Sequence, residues 1–305
     1  MRGSYNPRPL ALLGALACAC LTLDAFLYNG LRVDAFAWDE DPCDPELTGE
    51  LDRARNERGA SLPACHPSRI PAEARVEDFV DVNGVKIHYV YAHHGDAPTT
   101  TVLYSHGNYH HMGAYWDRVE LLWEWGYNVL IYDYPGYGRS GGETDEAGIY
   151  AAGVAAVELL PGLAGVDLDR VFFYGYSLGG GPTYELALRA DRGELAVAPR
   201  GIITEAAWCN LDVIVREATY VGLDKDYLLS FDFDSCRKIA ELDPALPIMH
   251  VHGTEDSTVH FENARALQRA AATELELHAV EGGQHYDLPV AAPEYEDWVR
   301  EFLDR

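Results

Sequence analysis

The sequence places a serine between two glycines where a predicted strand gives way to a predicted helix. Residues 171–174 are apolar and strand-forming, residues 175–179 read Gly-Tyr-Ser-Leu-Gly, and residues 182–190 have helical character. A serine on such a sharp turn is exposed for attack on a carbonyl carbon, and the helix that follows directs its first N–H groups toward developing negative charge. Ser177 is therefore the predicted nucleophile.

A serine hydroxyl needs a base and an acid that orients the base. His285 lies on a glycine-rich loop after the strand-like residues 274–280 and is the predicted base. Asp256 ends a His-Gly-Thr-Glu-Asp turn after a predicted buried strand and is the predicted acid. Glu205, at the end of another predicted strand, is the alternative acid and the less favoured one.

An acyl-transfer site also needs donors for the oxyanion. Residues 101–105 form a predicted strand that runs into His-Gly-Asn, so the backbone N–H groups of Asn108 and Leu178 are the predicted pair. The alternative is an ordinary strand–loop connection. For Trp208 and Tyr220, the alternative to lining an acyl pocket is packing onto the sheet. The residues predicted to contact substrate are Tyr109, Tyr176, Trp208 and Tyr220.

Together these motifs resemble the α/β-hydrolase superfamily, from about residue 77 to the C-terminus. The matching stretches are the His-Gly-Asn loop, Asp-Tyr-Pro-Gly-Tyr-Gly-Arg-Ser at 133–140, the serine turn, the turn at 252–256, and Gly283-x-His285. The order of nucleophile, acid and base also matches that family. The resemblance implies a serine hydrolase with a short cap that works through an acyl-enzyme.

The resemblance does not identify a substrate. A small-molecule carboxylic ester is the predicted substrate because it demands least of a small cap. A peptidase or amidase of the same fold is the first alternative. The second is an exported binding protein without turnover. Relatives that act on halides or epoxides use an aspartate where this chain has Ser177.

The periodicity of the chain supports this fold class. Apolar strand-like runs alternate with helical segments, which predicts an α/β protein with a mostly parallel, doubly wound, eight-stranded sheet. A hairpin is predicted over residues 76–92 around Asn83-Gly84. Residues 76–305 form the predicted hydrolase domain, residues 21–75 an N-terminal extension, and residues 206–242 a short helical cap. The remaining predicted strands are 100–105, 128–132, 171–174, 201–205, 248–252 and 274–280; the predicted helices are 115–125, 147–160, 182–190, 261–272 and 295–303.

The composition of the chain limits which classes of binding partner are expected. The 305 residues carry 49 acidic and 23 basic side chains, a formal net charge of -26, which argues against nucleic-acid binding. No cofactor or metal is predicted: the histidines at 93, 94, 110 and 111 have no cysteine among them and are interpreted as solvated loop residues. The Gly-Tyr-Gly turn at 136–138 lacks dinucleotide-binding spacing. The oligomeric state is left open.

The N-terminus resembles a secretory leader. Two arginines precede an apolar run over residues 10–23 that is short for a membrane span, and residues 1–20 are the predicted signal peptide. Small-residue cleavage patterns precede Cys18 and Cys20, as in a bacterial lipoprotein, so the prediction is export to the periplasm or cell envelope with an N-terminal lipid as a membrane tether. A cytoplasmic enzyme with an uncleaved N-terminus is the alternative. Three pairings stay open for the later cysteines, which are Cys43, Cys65, Cys209 and Cys236.

Overall fold

The computed structural model describes residues 28–39, 50–58, 66–210, 232–272 and 274–305. Eight strands in these ranges form one sheet: β1 (Arg75–Val82), β2 (Val85–Ala92), β3 (Thr99–Ser105), β4 (Asn128–Tyr132), β5 (Val166–Tyr176), β6 (Gly201–Glu205), β7 (Ile248–Gly253) and β8 (Leu275–Val280). Their order in the sheet is β1-β2-β4-β3-β5-β6-β7-β8. β2 is antiparallel to β1 and β4, and the other neighbouring pairs are parallel. The predicted sheet is confirmed.

The strands follow from short apolar runs and from turn residues. β4, β6 and β7 are buried along their whole length, as expected of strands covered on both faces. Asn83 and Gly84 both have positive φ, 54° and 85°, as the tight turn between β1 and β2 requires. β5 begins at Val166, earlier than predicted. The prediction missed residues 166–170 because charged side chains interrupt the apolar ones there, so this part of the strand has no apolar run.

Helices cover both faces of the sheet. The described helices are α1 (Glu50–Glu57), α2 (Trp116–Glu124), α3 (Glu146–Leu159), α4 (Gly180–Asp191), α5 (Ser235–Glu241), α6 (Glu262–Ala270), α7 (Leu288–Ala291) and α8 (Tyr295–Leu303). One apolar cluster includes Ile149, Tyr184, Ile239 and Leu267, one residue each from α3, α4, α5 and α6. The other includes Val119 of α2 together with residues of α7 and α8.

Covalent and hydrogen-bonded contacts hold both ends of the insertion after β6. A disulfide joins Cys209 to Cys236, near the two ends of the predicted cap. The Glu146 carboxylate accepts the N–H groups of Asp232 at 2.7 Å and Phe233 at 3.0 Å, which holds the returning chain against α3. Residues 211–231, with Tyr220, lie outside the described residues, as do Cys43 and Cys65.

The described parts of the N-terminal extension pack on the domain. Residues Asn29–Gly30 form a short parallel pair with Tyr109–His110. Trp38 is buried, with its ring centroid 4.2 Å from that of Trp116. The predicted leader, with Cys18 and Cys20, lies outside the described residues. In the ranges that the structure covers, none of the helices combines the length and apolar character needed to span a membrane.

Candidate active site

Ser177 stands on the turn between β5 and α4. Its φ is 52°, in the left-handed region that non-glycine residues rarely adopt, so the turn holds its backbone under strain. The flanking glycines make the turn possible. A Cβ on Gly175 would lie 2.3 Å from the carbonyl oxygen of Gly179, and a Cβ on Gly179 would lie 1.9 Å from that of Ser105. The sharp turn therefore depends on both glycines.

The structure brings the three predicted triad residues into one hydrogen-bonded line. Ser177 Oγ lies 3.0 Å from His285 Nε2, and His285 Nδ1 lies 2.8 Å from Asp256 Oδ2. With Nδ1–H donating to the carboxylate, Nε2 is free to accept the serine proton. The arrangement can therefore deprotonate a nucleophile and stabilise the imidazolium that forms.

Asp256 is ionised and held from several sides. Its Oδ1 accepts the backbone N–H groups of Thr258 and Val259, both at 2.8 Å. Burial alone would raise the pKa of Asp256, but hydrogen bonds from His252 and His285 outweigh burial and keep this pKa well below its ordinary value. The acid is therefore a carboxylate at neutral pH.

The loop that carries His285 is supported by side chains that the sequence did not single out for this role. Arg118 Nη2 donates to the carbonyl of Tyr286 at 3.0 Å, and the Tyr176 hydroxyl donates to the carbonyl of His285 at 3.2 Å. The Arg118 guanidinium lies over the Tyr176 ring, 4.2 Å from its centroid. Both side chains thus hold the loop that positions His285.

Glu205, the alternative acid, is committed elsewhere. Its two oxygens accept from Arg118 Nη1 at 2.8 and 2.7 Å, and Oε2 also accepts from the hydroxyls of Tyr174 and Tyr295. Burial opposes the charge on Arg118, but the Glu205 carboxylate outweighs burial and raises the pKa of Arg118 further. The structure gives no contact between Glu205 and His285, so Asp256 is the acid that the geometry favours.

The N-terminal extension contacts the His285 loop as well. Arg58, just after α1, forms an ion pair with Asp287, and its Nε lies 3.2 Å from the same carboxylate. The Tyr286 hydroxyl donates to the Glu57 carboxylate at 2.6 Å. Residues on either side of this contact are distant in sequence, which is why no local pattern indicates it.

The predicted oxyanion loop follows β3 and is fixed by tyrosines of the 133–140 motif. The Tyr134 hydroxyl donates to the carbonyl of His106 at 2.6 Å, and the Tyr137 hydroxyl donates to that of Asn108 at 3.3 Å. The extension touches the same loop, since the N–H of Leu31 donates to the carbonyl of His110 at 2.7 Å. The Leu178 N–H is on the serine turn, just before α4, where the N-terminus of the helix favours negative charge.

Asp133, the first residue of the 133–140 motif, contacts the oxyanion loop. Its Oδ1 accepts the N–H of Met112 at 2.7 Å and lies 3.3 Å from His106 Nε2, while Oδ2 lies 3.7 Å from His88 Nδ1. Burial would raise the pKa of Asp133, yet the adjacent His106 and His88 side chains keep it well below its ordinary value. Arg139 pairs with Glu77 beside this cluster.

The predicted substrate contacts fall in different places. Tyr109 is 37% exposed beside the oxyanion loop, with its ring stacked on that of His110. Tyr176 is buried under Arg118, as described above, and Trp208 is buried edge-on to Phe233. Tyr220 lies outside the described residues.

One interpretation of the histidines is corrected. His111 is not solvated but fully buried. Its Nδ1 accepts the N–H of Gly113 at 3.2 Å, and its ring packs in an edge contact with Phe36 of the extension. Among the residues that the structure describes, no group of three or more histidine, cysteine, aspartate or glutamate side chains is placed to hold a metal ion.

The sheet order, with Ser177 on the turn after β5 and Asp256 and His285 on the loops after β7 and β8, is that of the α/β-hydrolase fold. Sequence comparison agrees. A family model described as "Serine aminopeptidase, S33" matches residues 96–222. The uncharacterized protein YfhR of Escherichia coli strain K12 is 26% identical over 192 residues, covering 63% of this chain and 65% of that protein.

A second relative, the alpha/beta hydrolase domain-containing protein aho-3 of Caenorhabditis elegans, is 30% identical over 218 residues, covering 67% of this chain and 57% of that protein. The match thus spans 57–65% of the length of these two relatives. The chain therefore has the α/β-hydrolase fold and over 67% of its length is similar to this alpha/beta hydrolase domain-containing protein.

Solved structures show the same fold. An esterase from Pyrococcus furiosus superposes with a TM-score of 0.63 at 20% identity, covering 76% of this chain and 91% of the esterase. Acetyl xylan esterase 1 from Thermoanaerobacterium superposes with a TM-score of 0.56 at 15% identity, covering 87% of this chain and 95% of that enzyme. At these identities the likeness concerns the fold.

Proposed function

We propose that this protein is a serine hydrolase that cleaves a carboxylic ester of a small molecule through an acyl-enzyme. The observation that carries the proposal is the line from Ser177 Oγ to His285 at 3.0 Å and from His285 to Asp256 at 2.8 Å. Similar folds in two proteins named as esterases support the choice of an ester.

In the proposed mechanism, His285 removes the proton from Ser177 as the oxygen attacks the carbonyl carbon. The backbone N–H groups of Asn108 and Leu178 stabilise the oxyanion. His285 then protonates the leaving alcohol, and a water molecule activated by the same base releases the acid. The exposed ring of Tyr109 lies beside the oxyanion loop and is the proposed contact to the substrate.

The test compares the wild-type chain with Ser177→Ala. We expect a fluorophosphonate to label only the wild type, and p-nitrophenyl ester hydrolysis to fall by about 10⁴-fold or more in the variant. A wild type that is folded, shown by circular dichroism, yet neither labels nor hydrolyses any ester would instead favour a binding protein without turnover.

Peptide or amide hydrolysis is the second candidate, because the matching family model is described as a serine aminopeptidase. Aminoacyl p-nitroanilides and the corresponding p-nitrophenyl esters, assayed on one preparation, separate the two. A kcat/KM for the anilide that equals or exceeds that for the ester would replace the esterase proposal. A ratio that favours the ester by several orders of magnitude would support it.

Export to the cell envelope, with an N-terminal lipid as tether, remains a proposal. The disulfide between Cys209 and Cys236 supports it, because disulfides persist in oxidising compartments. The mass of the N-terminal peptide of the native protein tests it: an N-terminus that begins at Met1 without modification would favour the cytoplasmic alternative.

A further inference from the structure

A buried chain of polar side chains runs through the sheet behind Asp256. The Tyr184 hydroxyl of α4 lies 2.8 Å from Thr204 Oγ1, and Thr204 Oγ1 lies 2.7 Å from His250 Nδ1. His250 Nε2 lies 3.0 Å from His252 Nδ1. All four side chains are fully buried, and the proposed mechanism uses none of them.

The far end of this chain reaches the turn that carries the acid. His252 Nε2 lies 2.7 Å from the carbonyl oxygen of Val259 and 3.4 Å from Asp256 Oδ2, the oxygen that also accepts from His285. A carbonyl oxygen only accepts, so His252 Nε2 carries the hydrogen. This N–H donates to the Val259 carbonyl, and the carboxylate of Asp256 lies close enough to interact with it electrostatically.

With both rings neutral, one arrangement of hydrogens satisfies every contact. His252 Nδ1 accepts from His250 Nε2–H, His250 Nδ1 accepts from the Thr204 hydroxyl, and Thr204 Oγ1 accepts from the Tyr184 hydroxyl. Burial lowers the pKa of His250 well below its ordinary value, the nearby His252 ring adds to that effect, and a neutral His250 is what this arrangement needs. Every donation runs toward Asp256.

We propose that His252 is a positioning residue for Asp256, and that Tyr184, Thr204 and His250 hold it in the tautomer that donates to the 256–259 turn. The inference rests on the proposed serine mechanism, because it gives Asp256 the role of the acid. The carboxylate is then held on one side by the N–H groups of its own turn and on the other by the two histidines. His285 meets an acceptor whose position is set by the sheet.

Within the part of the protein that the structure describes, few titratable groups contact this row of buried polar side chains. His250 lies on the same strand as His252, Asp256 on the turn that follows, and His285 on the loop across from it. Tyr184 stands at the far end, and the ring of Phe261, at the start of α6, meets the ring of His252 edge-on. Substitution of His252 therefore acts on His285 through Asp256, and this effect alters the pH profile.

The experiment compares His252→Leu with His252→Gln, whose amide N–H can replace the Nε2–H donor. We expect His252→Leu to lower kcat/KM for a p-nitrophenyl ester about 10- to 100-fold, mostly in kcat, because the base is misplaced. The acid limb of the kcat/KM profile should move up by about half a pH unit, since a carboxylate without the His252 N–H beside it stabilises the imidazolium more strongly. His252→Gln should recover most of both losses.

The matched control is His278→Leu on the neighbouring strand β8. His278 pairs in register with Val251 and stacks on Trp298, away from the triad, so kcat and the pH profile should stay as in the wild type. A folded His252→Leu with kcat/KM within about twofold of wild type and an unmoved acid limb would overturn the inference.

A second measurement keeps the inference testable if His252→Leu does not fold. Long-range ¹H–¹⁵N correlation on the wild-type chain, labelled at histidine nitrogens, should show His250 and His252 protonated at Nε2 and bare at Nδ1. A His252 ring protonated at Nδ1 and bare at Nε2 would refute the inference. Failure of the serine mechanism itself is distinguishable, because the wild type and His278→Leu would then both resist fluorophosphonate labelling.

Discussion

The substitution Glu205→Gln tests whether the Glu205 carboxylate stabilises the fold or acts as the acid of the triad. Glu205 and Arg118 are both almost completely buried and are joined by two hydrogen bonds of 2.8 and 2.7 Å. The glutamine keeps the shape of the side chain but leaves the Arg118 cation without its counter-charge. Removing one partner of a buried ion pair costs about 3–5 kcal/mol of unfolding free energy. For a domain of this size, that corresponds to a fall in Tm of roughly 6–20 °C.

Activity should respond much less than stability. Folded Glu205→Gln should keep kcat/KM within about tenfold of the wild type, because Asp256 and His285 are untouched and only the support from Arg118 to the carbonyl of Tyr286 is disturbed. The matched comparison is Asp256→Asn, which should lower kcat by about 10⁴-fold because the base loses its orienting carboxylate.

The assay is ester hydrolysis well below Tm, beside thermal unfolding followed by circular dichroism. A Glu205→Gln protein with the Tm of the wild type and a 10⁴-fold loss in kcat would refute the reasoning and make Glu205 the acid of the triad. A large fall in Tm with residual activity near that of the wild type is the expected result.

Two further predictions concern the cluster under the oxyanion loop and the serine turn. Asp133 and Glu77 outweigh burial and raise the pKa of His88, so the stability it contributes is full below its unfolded pKa of about 6.5 and is lost as the pH rises through its higher folded pKa. The difference in unfolding free energy between wild type and His88→Gln, measured with urea, should therefore shrink from pH 6 to pH 9; a constant difference would contradict this. Gly179→Ala should abolish fluorophosphonate labelling or prevent folding, because its methyl group meets the carbonyl of Ser105 at 1.9 Å. A folded variant that labels at the wild-type rate would show that the turn tolerates a side chain.

Local patterns in the sequence predict most of the sheet and the grouping of the triad residues. Apolar runs and Asn83-Gly84 carry the strand information, and the glycines around Ser177 carry the turn, because each depends on residues adjacent in the chain. Arg118 gave no such signal, since its contacts with Glu205 and the carbonyl of Tyr286 join segments far apart in sequence. The role of His252 was hidden because a buried histidine in a strand looks like any other core residue.

The docked N-terminal extension sets the order in which the site can be completed. Residues Asn29–Gly30 pair with residues 109–110, and Arg58 reaches Asp287, 229 positions later in the chain. During synthesis, residues 29–30 can pair as soon as residues 109–110 have been made, whereas Arg58 lacks its partner until residue 287 has been made. Contacts this distant in sequence form slowly, because loop closure is costly before it is rewarded. The loop that carries His285 therefore receives its support from the extension late, and a nascent chain carries Ser177 well before the candidate site is complete.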